Sequence, residues 1–170
     1  MDGEITIRLE EASDVDAISR ITESAFRGHP YSRGTEPFII HGLRRDGALS
    51  VSLVAERDGE VVGHIAFSPV EISDGAQDWQ ALGPVSVKPE LQGRGIGSAL
   101  VRAGLEEIRK RGTAGCVLVG EPAFYGRFGF RSVDALTMEG IPQEFVLSLP
   151  FSACGAAGTI IHHPAFHAGK

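Results

Sequence analysis

A chain of 170 residues that is 42% hydrophobic and 22% charged has the composition of a folded globular protein, long enough to bury one sizeable core. No stretch approaches the ~20 apolar residues of a membrane span, and a net charge of −6 argues against a nucleic-acid binder, which usually carries a basic face. The start, with Asp2 and Glu4, lacks the basic region and apolar run of a signal peptide, and Cys116 and Cys154 supply neither a disulfide framework nor a metal-ligand spacing, so the expectation is a cytoplasmic protein with no metal, membrane or nucleic acid among its partners.

The elements alternate along the chain, without repeats or a linker, as one domain over residues 1–170. Ile5 to Leu9 alternates apolar and polar residues like a first strand. Ser13 is placed to cap a helix running to about Arg27, with Val15, Ile18, Ile21 and Ala25 on one face and Asp14 and Asp16 in its first turn. Gly28 to Gly34 reads as loop, and a shorter helix follows Thr35. Ser50 to Glu56 and Val61 to Val70 form a hairpin through Arg57-Asp58-Gly59-Glu60, which carries the Asp-Gly turn signal. Trp79 to Val87 is the next strand. Gly97 to Arg111 is an amphipathic helix with Leu100, Val101, Leu105 and Ile108 inward. A short buried strand follows at Cys116 to Val119, then a brief helix around Pro122 to Phe128. Phe145 to Leu149 and Gly158 to His162 read as a closing pair of strands. Antiparallel strands come first, then one parallel crossover.

Charge is uneven. Residues 88–131 hold eight Lys or Arg and four acids, so this segment carries +4 and the rest of the chain −10. A basic island in an acidic protein suits a small polyanionic ligand; a solvated face of the helix from Arg102 to Arg111 is the simpler alternative. The island opens with Lys88-Pro89-Glu90-Leu91-Gln92-Gly93-Arg94-Gly95-Ile96-Gly97-Ser98, between strand and helix. Glycines at 93, 95 and 97 let the backbone approach a ligand and turn successive N–H groups toward it. The helix start adds unsatisfied donors and a partial positive charge, which suits phosphate, and Arg94 can add a charge-assisted bond. A P-loop would need Gly-Lys-Ser or Gly-Lys-Thr, which is absent. A dinucleotide fingerprint would need its third glycine at Ser98 and a tight turn from the strand, whereas five residues separate Val87 from Gly93, and its second βαβ half is missing.

Gln92-Gly93-Arg94-Gly95-Ile96-Gly97 resembles the Gln/Arg-x-x-Gly-x-Gly/Ala acetyl-CoA loop of the GNAT N-acetyltransferase superfamily. Tyr125-Gly126-Arg127-Phe128-Gly129-Phe130 resembles that superfamily's Tyr-x-Lys/Arg-x-Gly-Phe segment, one helix and one strand further on. Leu82 to Pro89, together with Gly120 to Tyr125, is most similar to the YhbS-like bacterial branch. The resemblance implies a single-domain α/β fold, with a mixed, mostly antiparallel sheet of about seven strands, about four helices and a central β-α-β crossover. It implies transfer from acetyl-CoA to the amine of a small molecule or peptide; the oligomeric state stays open, a homodimer among the options. Adjacent strands would open into a V, Gly83-Pro84 suiting a bulge or splay. Val85 and Val87 would offer backbone groups to pantetheine, Gly93 to Ser98 would hold the pyrophosphate, and Tyr125 would protonate the departing thiolate. The alternative for Tyr125 is an aromatic packed on Phe124, Phe128 and Phe130. The acid that many members carry on the strand before the loop is absent from Trp79 to Val87. The base must then be His64, Glu71 or Asp74, or the amine arrives neutral; His64 alone titrates near neutrality when unperturbed, although a histidine in so apolar a run also reads as core. His162 and His163 read as edge or surface residues. The competing reading is an acetyl-CoA-binding sensor that keeps the fold without turnover.

Overall fold

The computed structural model describes residues 3–30, 32–153 and 155–167; Asp2 and Cys154 lie outside the described residues. Among these, eight strands and four α-helices follow in the order β1 (Thr6–Leu9), α1 (Val15–Phe26), α2 (Glu36–Arg45), β2 (Val51–Arg57), β3 (Glu60–Ile72), β4 (Trp79–Val87), α3 (Ile96–Lys110), β5 (Gly115–Val119), α4 (Pro122–Tyr125), β6 (Leu136–Thr137), β7 (Val146–Pro150) and β8 (Gly158–His162). No helix among the described residues is long and apolar enough to cross a membrane.

Strands β1 to β4 form an antiparallel meander in sequence order, β5 joins β4 in parallel, and β7 returns antiparallel to β5. At the β2–β3 hairpin Asp58 and Gly59 both have positive φ, 53° and 78°, the type I′ geometry that Asp-Gly favours because its twist matches the flanking strands. Parallel pairing of β4 and β5 needs a crossover, and α3 supplies it.

Two expectations are corrected. The last two strands do not pair with each other: β7 pairs β5, whereas β8 pairs the far end of β3 and the two-residue β6. Strand propensity marks a strand without naming its neighbour, and the long β3 offers an edge past Pro69 that β8 takes. Nor does Ser13 cap α1. A 3-10 turn over Ala12–Asp14 precedes that helix, and Asp14 organises it by accepting the Glu11 N–H at 2.7 Å and two bonds from Arg8 at 2.8 and 3.0 Å.

The main core lies between the sheet and α3. Leu100, Val101, Leu105 and Ile108, joined by Ile96, pack on Val51, Leu53, Ile65 and Phe67, each worth roughly 1.5–3 kcal/mol when fully buried. Ile18 of α1 and Ile40 of α2 cover Val54 on the opposite face. Gly104 lets α3 approach the sheet, since a Cβ there would stand 2.3 Å from Phe67 Cε2 and 2.5 Å from its Cζ. Gly104→Ala gains up to ~1 kcal/mol of helix propensity but overpacks a buried ring at about 1–3 kcal/mol. The expected outcome is a net loss of about 1 kcal/mol in denaturant unfolding; a stabilised variant would show that α3 can move off the sheet freely.

Candidate active site

Strands β4 and β5 begin together and then part. They pair only through Trp79↔Gly115, Gln80↔Cys116 and Ala81↔Val117; beyond, β4 continues on β3 alone and β5 on β7 alone. A bulge marks the divergence: Val85 faces Ile65 and Leu82 faces Phe67, so Gly83 and Pro84 together oppose Ala66. Past it, the Lys88 N–H donates to the Val62 carbonyl on β3 at 2.9 Å. Strand alternation then turns the backbone groups of Val85 and Val87 to the opposite edge, which no strand covers among the described residues.

At the open end the chain makes the glycine loop. Gly93 and Gly95 have φ of 79° and 88°, values that L side chains rarely adopt, and α3 starts at Ile96 with first-turn amides that have no intrahelical acceptor. Gln92 latches the loop to its strand, its Nε2 donating to the Val87 carbonyl at 3.0 Å. Arg94 is exposed within the loop, and Ser98 lies in the first turn of α3. Gly97 is helical, and a Cβ there would make only ordinary contacts, 3.8 Å from Val87 Cγ2 and 4.0 Å from Phe124 Cζ.

Those contacts show that the second motif is brought against the first. The Phe124 ring sits by the start of α3, and Arg127 Nη2 donates to Ser98 Oγ at 3.0 Å while its guanidinium stacks on Phe124 at 4.7 Å. Along α3, Arg102, Arg109 and Arg127, with Glu106 among them, line a cleft of about 310 Å³ closed by Leu105, Phe128 and Leu149, which gathers part of the basic island. Tyr125 follows shortly after the end of β5. Its ring makes edge contacts with Phe124 at 4.9 Å and Phe130 at 6.0 Å and lies over Gly120, whose Cβ would stand 2.5 Å from Tyr125 Cε2. Among the described residues no group hydrogen-bonds its hydroxyl. Burial, with a smaller contribution from Cys116, pushes its pKa up to about 12, so the phenol is protonated at neutral pH and has a proton to donate.

His64 is fully buried, and burial pushes its pKa down to about 4 against the opposing pull of Glu10. Its Nε2 lies 2.7 Å from Ser52 Oγ. Ser52 donates to Glu10 Oε1 at 2.8 Å, and Arg44 clamps Glu10 with bonds of 2.6 and 3.2 Å. The other two acids considered stand elsewhere. Glu71 is paired with β8 at the closed end of the V, roughly 23 Å along β3 from His64, and Asp74 accepts the backbone N–H groups of Ala76 and Ala157, both at 2.8 Å. His162 is packed rather than superficial: it stacks on Phe166 at 4.2 Å, and burial, aided by His167, brings it down to about 4. His163 Nδ1 accepts the Ala165 N–H at 3.0 Å. Among the described residues no cluster of three His, Cys, Asp or Glu could hold a metal ion. Glu10, Ser52 and Arg44 escaped sequence reasoning; the available signal was a serine inside the apolar run Val51-Ser52-Leu53.

Known proteins share this sequence family and fold. The model of the acetyltransferase (GNAT) domain matches residues 6–133. The chain is 36% identical over 125 residues to the uncharacterized N-acetyltransferase YhbS of Escherichia coli K12, covering 73% of this chain and 72% of that protein. It is 28% identical over 164 residues to YjhQ of the same organism, covering 94% and 86%. Among solved structures, a GNAT family acetyltransferase of Brucella melitensis in complex with acetyl-CoA superimposes with a TM-score of 0.86 at 43% identity, covering 96% of this chain and 99% of that one. E. coli YhbS in complex with CoA does so with 0.84 at 29% identity, covering 98% and 93%.

Proposed function

Since the chain belongs to the GNAT acetyltransferase family, we propose that it moves the acetyl group of acetyl-CoA directly to the amine of a small molecule or peptide, as one N-acetyltransferase domain over residues 1–170. The observation that carries this reading is the parting of β4 and β5 after Ala81 and Val117, with the glycine loop following β4 and Tyr125 following β5. Acetyl-CoA would lie along the uncovered edge of β4, its pantetheine bonded to the Val85 and Val87 backbone. Gly93, Arg94, Gly95, Ile96, Gly97 and Ser98 would meet the pyrophosphate at the start of α3, while Gln92 would hold the loop in shape. An acceptor amine meeting the thioester there reacts chiefly because it is positioned and stripped of water. Thiol release from acetyl-CoA with a panel of primary amines tests the reading. Binding of acetyl-CoA without release on any amine would favour a non-catalytic sensor, the reading supported by the absence of a carboxylate on β4.

The loop is tested separately by Gly97→Ala and Gly95→Asp. The first finds room for its methyl group within the protein, so its fold is expected intact while a pyrophosphate against the helix start is obstructed. The second adds charge and a strained φ. Each is expected to weaken acetyl-CoA at least tenfold in calorimetry, about 1.4 kcal/mol. Wild-type affinity in both would remove this loop from the binding site.

A further inference from the structure

Arg127 stands between two parts of the molecule that lie far apart in the chain. On one side its Nη2 donates to Ser98 Oγ at 3.0 Å, in the first turn of α3. On the other its Nε donates to the Phe124 carbonyl at 3.3 Å, one residue before Tyr125. Its guanidinium lies 4.7 Å from the centre of the Phe124 ring and 5.6 Å from that of Phe128, so two aromatic faces hold it in place. A guanidinium has five N–H donors, and these two bonds leave three of them unused. Among the described residues no carboxylate pairs with it. Arg102 comes to the same Phe128 ring, 5.1 Å from its centre, and Glu106 in their cleft pairs with neither arginine. Two cations close to the first turns of α3, whose start carries a partial positive charge of its own, repel one another until an anion lies among them. A planar fork with unused donors suits a phosphate.

We propose that Arg127 is a positioning residue that ties Tyr125 to the phosphate end of acetyl-CoA. This rests on the acetyl transfer proposed above, with Tyr125 as the acid. Pyrophosphate held by the amides at the start of α3 accepts from the unused N–H groups of Arg127, while Nε keeps the Phe124 carbonyl. That carbonyl belongs to the residue before Tyr125, so the occupied loop fixes the backbone from which the phenol reaches the sulfur. Without phosphate, Arg127 has the neutral Ser98 hydroxyl instead, whereas an Arg–phosphate pair is charged on both sides and more directional. Binding of the cosubstrate and placement of the acid are thereby one event. In the step served, the acceptor nitrogen bonds the thioester carbon and the C–S bond breaks with its electron pair on sulfur. The Tyr125 proton forms the S–H bond, and the phenolate regains a proton from solvent, to which the acceptor nitrogen has lost one.

The test is a double-mutant cycle of Arg127→Ala and Tyr125→Phe. It is read in kcat with the best amine of the thiol-release panel, and in calorimetric Kd for CoA and dephospho-CoA. Arg127 is exposed, so Arg127→Ala should keep the fold and a melting temperature near wild type. Its Kd is expected to rise about tenfold for both ligands alike, since the pyrophosphate is common to them. At saturating acetyl-CoA its kcat is expected to fall about tenfold while Tyr125 is present. In Tyr125→Phe it should not fall further, because an acid that is gone cannot be misplaced. Arg127→Lys keeps the charge without the fork, and should recover affinity while leaving the kcat deficit. Equal kcat losses in both backgrounds, or an unchanged kcat, would overturn the coupling while leaving acetyl transfer standing. So would a rise in Kd confined to CoA, which would move the contact to the 3′-phosphate. Wild-type turnover by Tyr125→Phe, or a wild-type protein that binds acetyl-CoA and turns over no amine, would overturn the reading beneath it as well.

Discussion

Tyr125→Phe is expected to lower kcat about 10²-fold or more while leaving the melting temperature and acetyl-CoA affinity near wild type. The substitution keeps the ring, and with it the edge contacts to Phe124 and Phe130 and the packing over Gly120. What it removes is a hydroxyl without a hydrogen-bond partner among the described residues, so the fold loses no bond. Burial that raises the pKa to about 12 keeps this group a donor at any working pH, suited to a thiolate leaving group and unsuited to act as a base. Loss of a general acid costs roughly 10²–10⁴ in rate, and loss of a transition-state interaction alone lowers kcat without changing affinity. Wild-type turnover would mean that solvent or another group protonates the thiolate. A large fall in melting temperature would mean that the ring environment, not the chemistry, depends on the hydroxyl.

The second large effect is on stability. An unfolded histidine titrates near 6.5, whereas His64 in the fold is held down to about 4 by burial. Between these values the unfolded chain binds the extra proton, so stability falls as pH drops through the window and levels off below it. About 2.5 pKa units at 1.36 kcal/mol each amounts to roughly 3 kcal/mol. His162, also near 4, adds a loss in the same window. Asp14, held below the usual carboxylate range first by Arg8, contributes only at still lower pH, where its stabilising charge is neutralised. Glu10 behaves likewise: burial would raise its pKa, but the bonds from Arg44 and Ser52 outweigh that and lower it. Urea unfolding at several pH values between 7.5 and 4 should show the decline, and His64→Gln should flatten about half of it, leaving the share of His162. A stability that stays level from 6.5 to 4.5 would be incompatible with a neutral, buried His64.

How much of this was legible in the sequence depends on the range of the interaction involved. The hairpin at Asp58-Gly59, helix α3 and the positive-φ glycines of the loop follow from local rules: a turn needs certain dihedrals, and a helix shows its apolar face every three to four residues. The V was anticipated at Gly83-Pro84 through the resemblance, because a proline without an N–H in mid-strand has few other uses. Tyr125 is a different case. Its place in the chain and its contact with Phe130 were evident, but its seat over Gly120 and the burial that raises its pKa depend on how the end of strand β5 packs.

By itself, then, the sequence determined the family, the order of elements up to β5 and the phosphate-suited loop, since each is written in contiguous residues whose dihedral and capping needs are local. Tertiary structure alone decided that β7 pairs β5 and that β8 pairs β3, because pairing is a choice among strands of similar propensity. It also decided that His64 is neutral and that His64, Ser52 and Glu10 form a row. Those three residues come from three separate segments, and only the cross-strand register places them side by side, where burial sets their protonation.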